Sequence, residues 1–143
     1  MNDRIAYVGA RIFDGDTFWD HSMLIVGAGR VVGIAAADSP TDATRVELDG
    51  GILAPGLIDL QVNGCGGALL NLTPDVATIK TICATWMRFG TTGCLPTFIT
   101  DTREKVAAVI AAGEEAALRL VPGFLGLHLE GPHLSVARKG AHD

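Results

Sequence analysis

Short apolar runs separated by turn residues occupy the chain up to Pro55. Five such runs, rich in Val, Ile and Leu, predict short strands at residues 5–8, 11–13, 23–26, 30–34 and 45–48. The tripeptide Gly27-Ala28-Gly29 lies between two of these runs and predicts a hairpin turn. Residues 1–54 are therefore expected to form a small all-β module.

Beyond Pro55 the pattern becomes strand, helix, strand, helix, strand. Apolar runs predict strands at residues 57–63, 93–99 and 124–129. The first helix is expected to open with Thr73 as its cap, and the second with Asp101 and Glu104 as a capping pair. Helical spacing of apolar residues predicts two buried faces, formed by Val76, Ile79, Cys83 and Trp86 in the first helix and by Val106, Val109, Ile110, Ala117 and Leu120 in the second.

This alternation is typical of an α/β fold with parallel strands and right-handed crossovers. Three strands and two helices cannot close a (β/α)8 barrel, which needs about 250 residues. Residues 55–143 are therefore expected to form the first β/α units of an incomplete TIM barrel, and the chain to be a fragment of a longer protein. The alternative is a small three-stranded α/β domain with an exposed sheet edge.

The first strand of this region carries an unusual row of polar side chains. Asp59, Gln61 and Asn63 alternate with apolar residues, so they share one face of the strand. Parallel strands that are buried on both faces are usually apolar throughout. The polar face indicates either a barrel interior lined with site groups or an edge strand that faces solvent.

Glu130 follows the third predicted run, at the position where α/β folds place their functional groups. His128 lies two residues earlier on the same face, and His133 and His142 follow. Carboxylate and imidazole groups are metal ligands, although this spacing matches no strong zinc pattern. A structural or surface role for each single residue remains the alternative.

Composition narrows the possible functions. Hydrophobic residues make up 48% of the 143 residues and charged residues 19%, which is typical of a globular protein. The net charge of −5 argues against nucleic acid or an anionic membrane as partner. The N-terminus has no secretory pattern and no run is long enough to span a membrane, so a cytoplasmic protein is expected. The spacing of Cys65, Cys83 and Cys94 predicts free thiols, neither a disulfide framework nor a zinc motif.

Three motifs, taken together, resemble the N-acetylglucosamine-6-phosphate deacetylases of the amidohydrolase superfamily. They are LAPGLIDLQVNGCGG at residues 53–67, GTTGCLPT at 90–97, and GLHLEGPHL at 126–134 followed by RKGAH at 138–142. The resemblance covers nearly the whole chain and corresponds to the N-terminal portion of such enzymes. It implies that residues 1–54 contribute to an N-terminal β-sandwich and that the full-length protein is a dimer.

The resemblance also implies roles for individual residues. Glu130 matches a carboxylate ligand of one divalent metal ion, zinc or another divalent transition metal. Ala141 and His142 match a segment that contacts the amino-sugar phosphate substrate. Gln61 and Asn63 stand where many amidohydrolases have a His-x-His metal pair, and His128 is a possible residue lining the site.

The implied reaction is metal-assisted hydrolysis of N-acetylglucosamine 6-phosphate to glucosamine 6-phosphate and acetate. The expected catalytic Asp and two further His ligands lie beyond residue 143, so this chain alone is expected to be inactive. Two alternatives remain open: another amidohydrolase such as a dihydroorotase-like protein, and a non-catalytic fragment that binds a sugar phosphate or another subunit. The exposed strand edge also predicts self-association.

Overall fold

The computed structural model describes residues 3–140 and 142. The chain divides into two compact units, Met1–Pro55 and Gly56–Asp143. The described residues form a mixed α/β structure with several sheets, as expected for the coarse fold class. No helix among them is both long and apolar enough to cross a membrane.

The first unit contains seven strands in its described residues. They are β1 (Ile5–Val8), β2 (Arg11–Phe13), β3 (Phe18–Trp19), β4 (Ser22–Gly27), β5 (Arg30–Ala36), β6 (Thr44–Glu47) and β7 (Ile52–Leu53). A four-stranded sheet has the order β5-β4-β1-β6, and a three-stranded sheet has the order β3-β2-β7. Both β1–β6 and β2–β7 are parallel pairs inside otherwise antiparallel sheets.

The hairpin between β4 and β5 turns through Ala28 and Gly29, as the sequence predicts. Both residues have positive φ, at 49° and 70°, and Gly27 pairs with Arg30. Two consecutive positive φ angles define the turn type that matches the twist of an antiparallel hairpin. The core beneath this sheet is small and consists of Ala6, Val8, Met23 and Ala43.

The second unit alternates strands and helices. Its elements are β8 (Leu57–Val62), α1 (Val76–Met87), β9 (Thr91–Ile99), α2 (Arg103–Leu118), β10 (His128–Glu130) and a short 3-10 helix (Val136–Arg138). The three strands are parallel and lie in the order β10-β9-β8. The apolar core between this sheet and the helices includes Leu70, Ile79, Ile82, Phe98 and Val109.

Both helix caps differ from the prediction. Asp75, not Thr73, is the N-cap of α1, and its side chain accepts a hydrogen bond from the Thr78 N–H. Thr102, not Asp101, is the N-cap of α2 and accepts from the Lys105 N–H. Several neighbouring oxygen-bearing side chains can cap a helix, and only the backbone path into the first turn decides between them.

The predicted buried face of α2 is partly wrong. Val109 is fully buried, but Ile110 and Leu120 are exposed and the buried stripe continues through Ala112 and Ala116. These small residues let α2 approach the segment before β10, where Leu127 packs against Gly113. The helix therefore turns a narrow stripe of small residues inward, which a count of large apolar residues does not reveal.

The third strand is shorter than predicted. Residues 124–127 form only an isolated bridge between Phe124 and Cys94, and the regular strand begins at His128. Gly126 has a φ of 150°, which interrupts the strand. Glu130 is consequently the last residue of β10, and does not lie in the loop after it.

Candidate active site

The polar residues singled out in the sequence meet where β8, β9 and β10 end. Because the three strands are parallel, their carboxyl ends lie at one edge of the sheet. Glu130 closes β10 and pairs with Ile99, the last residue of β9. Gln61 lies near the end of β8 and the exposed Asn63 directly after it. The predicted common face with Asp59 is interrupted, because the pairing with β9 shifts register between Asp59 and Val62.

Glu130 is held between an amide and an imidazole. Gln61 Nε2 donates to Glu130 Oε2 at 2.9 Å. His142 Nε2 lies 3.7 Å from Glu130 Oε1, and the other nitrogen of its ring, Nδ1, lies 3.1 Å from Thr100 Oγ1. The Glu130 side chain is 35% exposed and the His142 side chain is 18% exposed. Glu130 is thus oriented by neighbours from elsewhere in the unit while part of its carboxylate faces open space.

A cavity of about 410 Å³ opens beside this carboxylate. Its walls are formed by Asn63, Leu69, Asn71, Ile99, Glu130 and His142. A larger apolar depression of about 480 Å³ lies along α2 and the segment before β10. Only one titratable residue, Glu114, lines that depression, so the smaller cavity is the candidate active site.

The predicted cluster of histidines does not assemble around Glu130. His128 Nδ1 lies 3.2 Å from the hydroxyl of Thr97, a buried residue of β9, so this ring is tied to the strand beside it. His133 is exposed in the turn after β10. His142 alone among the three approaches Glu130, because the chain folds back after the 3-10 helix. Ala141, the other predicted substrate contact, lies outside the described residues.

Asn71, which no sequence pattern singled out, forms one wall of the cavity. The Asn71 side chain accepts from the Ile99 N–H at 3.1 Å and donates to the Ile99 carbonyl at 3.1 Å. It also donates to Asp101 Oδ2 at 3.2 Å. Since β8 pairs with β9 only as far as Pro96, the Asn71 amide takes the place of a strand neighbour at the end of β9. Its position after a Gly-rich loop gave no periodic signal.

Asp101 and Lys105 both contact Asn71. Lys105 Nζ donates to Asp101 Oδ2 at 3.0 Å and to the Asn71 carbonyl at 2.9 Å. The Thr102 backbone N–H, followed by Lys105 and Asn71, lowers the pKa of the Asp101 carboxyl below its ordinary value. The carboxylate predicted to cap α2 therefore joins the loop after β8 to the start of that helix.

The glycines after β8 pack against their own unit. A side chain on Gly64 would lie 2.6 Å from the Ala68 carbonyl, and one on Gly66 would lie 2.5 Å from the Thr85 hydroxyl of α1. Both residues also have positive φ. At these two positions the absence of a side chain is therefore required by the fold itself.

Glu130 could serve as one ligand of a metal ion, but the described residues do not complete a metal site. Among residues 3–140 and 142, no group of three His, Cys, Asp or Glu side chains converges. Catalytic zinc sites usually need three protein ligands. The carboxylate and the His142 imidazole amount to two groups at most.

These observations define an α/β chain with an enzyme-type site at the carboxyl ends of its parallel strands. No protein-family model matches the chain. It is 39% identical to the N-acetylgalactosamine-6-phosphate deacetylase of Shewanella sp. (strain ANA-3), over 94% of this chain and 35% of the relative. It is 36% identical to the N-acetylglucosamine-6-phosphate deacetylase of Haemophilus influenzae, over 89% of this chain and 33% of the relative.

A solved structure supports the same relationship. The N-acetylglucosamine-6-phosphate deacetylase of Pasteurella multocida superposes with a TM-score of 0.89 at 35% identity, covering 98% of this chain and 37% of that one. The chain belongs to the family of N-acetylglucosamine- and N-acetylgalactosamine-6-phosphate deacetylases. It spans about a third of the length of the relatives it matches.

Proposed function

We propose that this chain contributes part of the active site of a deacetylase that hydrolyses N-acetylglucosamine 6-phosphate to glucosamine 6-phosphate and acetate. The observation that carries the proposal is the placement of Glu130 between Gln61 and His142, beside a cavity at the carboxyl ends of three parallel strands. The names of its relatives supply the substrate class.

In this proposal Glu130 is one protein ligand of a divalent metal ion, zinc or another divalent transition metal. Gln61 orients its carboxylate by donating to Oε2, and the other oxygen, Oε1, lies 3.7 Å from His142 Nε2. His142 and Ala141 contact the amino-sugar phosphate, while Asn63 and His128 line the site. His128 lies two residues before Glu130 on β10, and its Nδ1 lies 3.2 Å from the Thr97 hydroxyl.

We propose further that the chain is inactive by itself. The described residues offer one carboxylate and one nearby imidazole, short of the three ligands that a catalytic metal usually needs. The general base is expected to be an Asp outside this chain. In the complete enzyme, residues 1–54 would form part of a β-sandwich and residues 55–143 the first units of a TIM barrel. The complete enzyme is proposed to be a cytoplasmic dimer with no nucleic-acid or membrane partner.

A chimera tests the catalytic role directly. Residues of this chain would replace the matching segment of the Haemophilus influenzae relative, with which it shares 36% identity over 127 residues. We expect metal-dependent acetate release from N-acetylglucosamine 6-phosphate, reduced at least a hundredfold by Glu130→Gln. Glu104→Gln, which changes an exposed carboxylate of α2, is the matched control and should retain activity. A folded chimera with equal activity in both variants would contradict the role of Glu130.

The substrate itself needs a comparison of two sugars. The Shewanella relative is named for N-acetylgalactosamine 6-phosphate. This sugar differs from N-acetylglucosamine 6-phosphate only in the configuration of one hydroxyl group. Assaying the chimera with both phosphates shows which epimer this part of the site accepts. Calorimetry of the chain alone in metal-free buffer tests the alternative that it is a non-catalytic sugar-phosphate-binding module. Substrate binding there, together with an inactive folded chimera, would favour a non-catalytic sugar-phosphate-binding module.

A further inference from the structure

Two buried thiols lie side by side where α1 packs on β9. Cys83 faces inward from α1, and Cys94 lies near the start of β9. Their Sγ atoms are 3.7 Å apart, and each residue is only 1% exposed. Both belong to the main core of the second unit. This cluster lies apart from the residues that line the candidate active site.

The backbone on each side of this pair is fixed. The Cys94 N–H donates to the Gly123 carbonyl at 2.8 Å, and the Cys94 carbonyl accepts from the Leu125 N–H at 3.1 Å. Cys83 is held within a helix whose flanking residues Ile79 and Ile82 are fully buried. Cys65, the third cysteine, is only half-buried and makes no comparable sulfur contact with the described residues. The geometry therefore singles out one pair.

We propose that Cys83 and Cys94 form a modification site, an internal dithiol that a peroxide oxidises to a disulfide. The thiolate of one cysteine attacks a peroxide oxygen, and the first water is released as a sulfenic acid forms. The second thiol then attacks that sulfur, giving the S–S bond and a second water. In total two S–H bonds and one O–O bond break, and hydrogen peroxide accepts the two electrons.

The distances make an internal bond favourable. A disulfide has an S–S length of about 2.05 Å, so the two sulfurs must approach by about 1.7 Å. Rotation of the two side chains supplies most of this movement, since the elements that carry them already pack together. The neighbouring thiol is also present at a high effective concentration, so it reacts with the sulfenic acid before a further oxidation can occur.

Burial keeps the pair reduced under mild conditions. It raises the pKa of the Cys83 thiol to about 12, with Cys94 adding to the effect. Burial likewise raises the pKa of Cys94, although the contact with Cys83 opposes this rise in part. The thiolate is the reactive form, so the rate of oxidation should rise about tenfold per pH unit between roughly pH 7 and 9.

Peptide mapping tests the proposal on the chain as it stands. The protein is incubated with excess hydrogen peroxide, unfolded in an alkylating agent and digested with trypsin. Cleavage after Lys80, Arg88 and Arg103 places Cys83 in residues 81–88 and Cys94 in residues 89–103, whereas Cys65 lies in residues 46–80. We expect the first two peptides to be joined, to weigh two hydrogen atoms less than their sum, and to separate on reduction.

Single variants decide which thiols react. Cys65→Ser should retain the cross-link at the wild-type rate, whereas Cys83→Ser should lose it. Because Cys83→Ser changes the core, its circular dichroism is compared with that of the wild type, and the wild-type map remains decisive if the variant does not fold. Linkage to Cys65, intermolecular linkage, sulfinic acid without a link, a rate that does not depend on pH, or no reaction would each overturn the proposal.

Discussion

Removing the Asn71 side chain should destabilise the second unit and open the wall of the candidate active site. Asn71→Ala deletes two hydrogen bonds to the backbone of Ile99 and one to the Asp101 carboxylate. It leaves the Ile99 N–H and carbonyl without the partner that replaces a strand at the end of β9. Net contributions of about 1 kcal/mol per hydrogen bond give a loss of about 2–3 kcal/mol in the free energy of unfolding.

Fluorescence of Trp86 during urea unfolding measures this loss. The chain has two tryptophans, Trp19 in the first unit and Trp86 in α1, so a Trp19→Phe background makes the signal report on the second unit alone. With a urea slope of about 1–2 kcal/mol/M, the midpoint should fall by roughly 1–3 M while the slope stays unchanged.

Asn63 supplies the matched control. It lines the same cavity but is exposed and makes no side-chain hydrogen bond with the described residues. Asn63→Ala should therefore change the free energy of unfolding by no more than about 0.5 kcal/mol. If Asn71→Ala and Asn63→Ala shift the midpoint equally, Asn71 does not stabilise the end of β9 and our reasoning is refuted.

Three further predictions use the same unfolding measurement. Ile82→Ala should cost about 2–5 kcal/mol, because Ile82 is fully buried, whereas Lys80→Ala on the exposed face of α1 should be nearly neutral. Asp75→Ala should lower the free energy of unfolding by about 1 kcal/mol, and Thr73→Ala should leave it almost unchanged. A larger loss for Thr73→Ala than for Asp75→Ala would indicate that Thr73 is the N-cap. Because folding lowers the pKa of Asp101, its ionised carboxylate stabilises the folded unit at pH values above its ordinary pKa of 3.8. This stabilisation is lost as the pH falls through the lowered pKa of the folded state. Asp101→Asn should flatten the decline of stability over that acidic range, and an unchanged profile would contradict the assignment.

The sequence predicted most elements because its local signals agreed with the final packing. The positions of β1, β2 and β9 and the core of α1 followed from apolar runs and helical spacing. The buried face of α2 could not be predicted in the same way. Its inward stripe depends on small residues such as Ala112 and Ala116, whose burial is decided by how closely a neighbouring segment approaches.

The candidate active site was likewise predicted only in part. The sequence alone identified Glu130 as a carboxylate near a strand end, and it placed Gln61, Glu130 and His142 in segments that resemble those of the family. Only the tertiary structure decided that Gln61 and His142 reach Glu130 while His128 turns to Thr97, because these contacts join residues up to 69 positions apart. The same holds for Asn71 at the end of β9 and for the adjacent thiols of Cys83 and Cys94. Periodicity predicts which side of a strand or helix a residue occupies, whereas the neighbour it meets there depends on register, crossover and loop path.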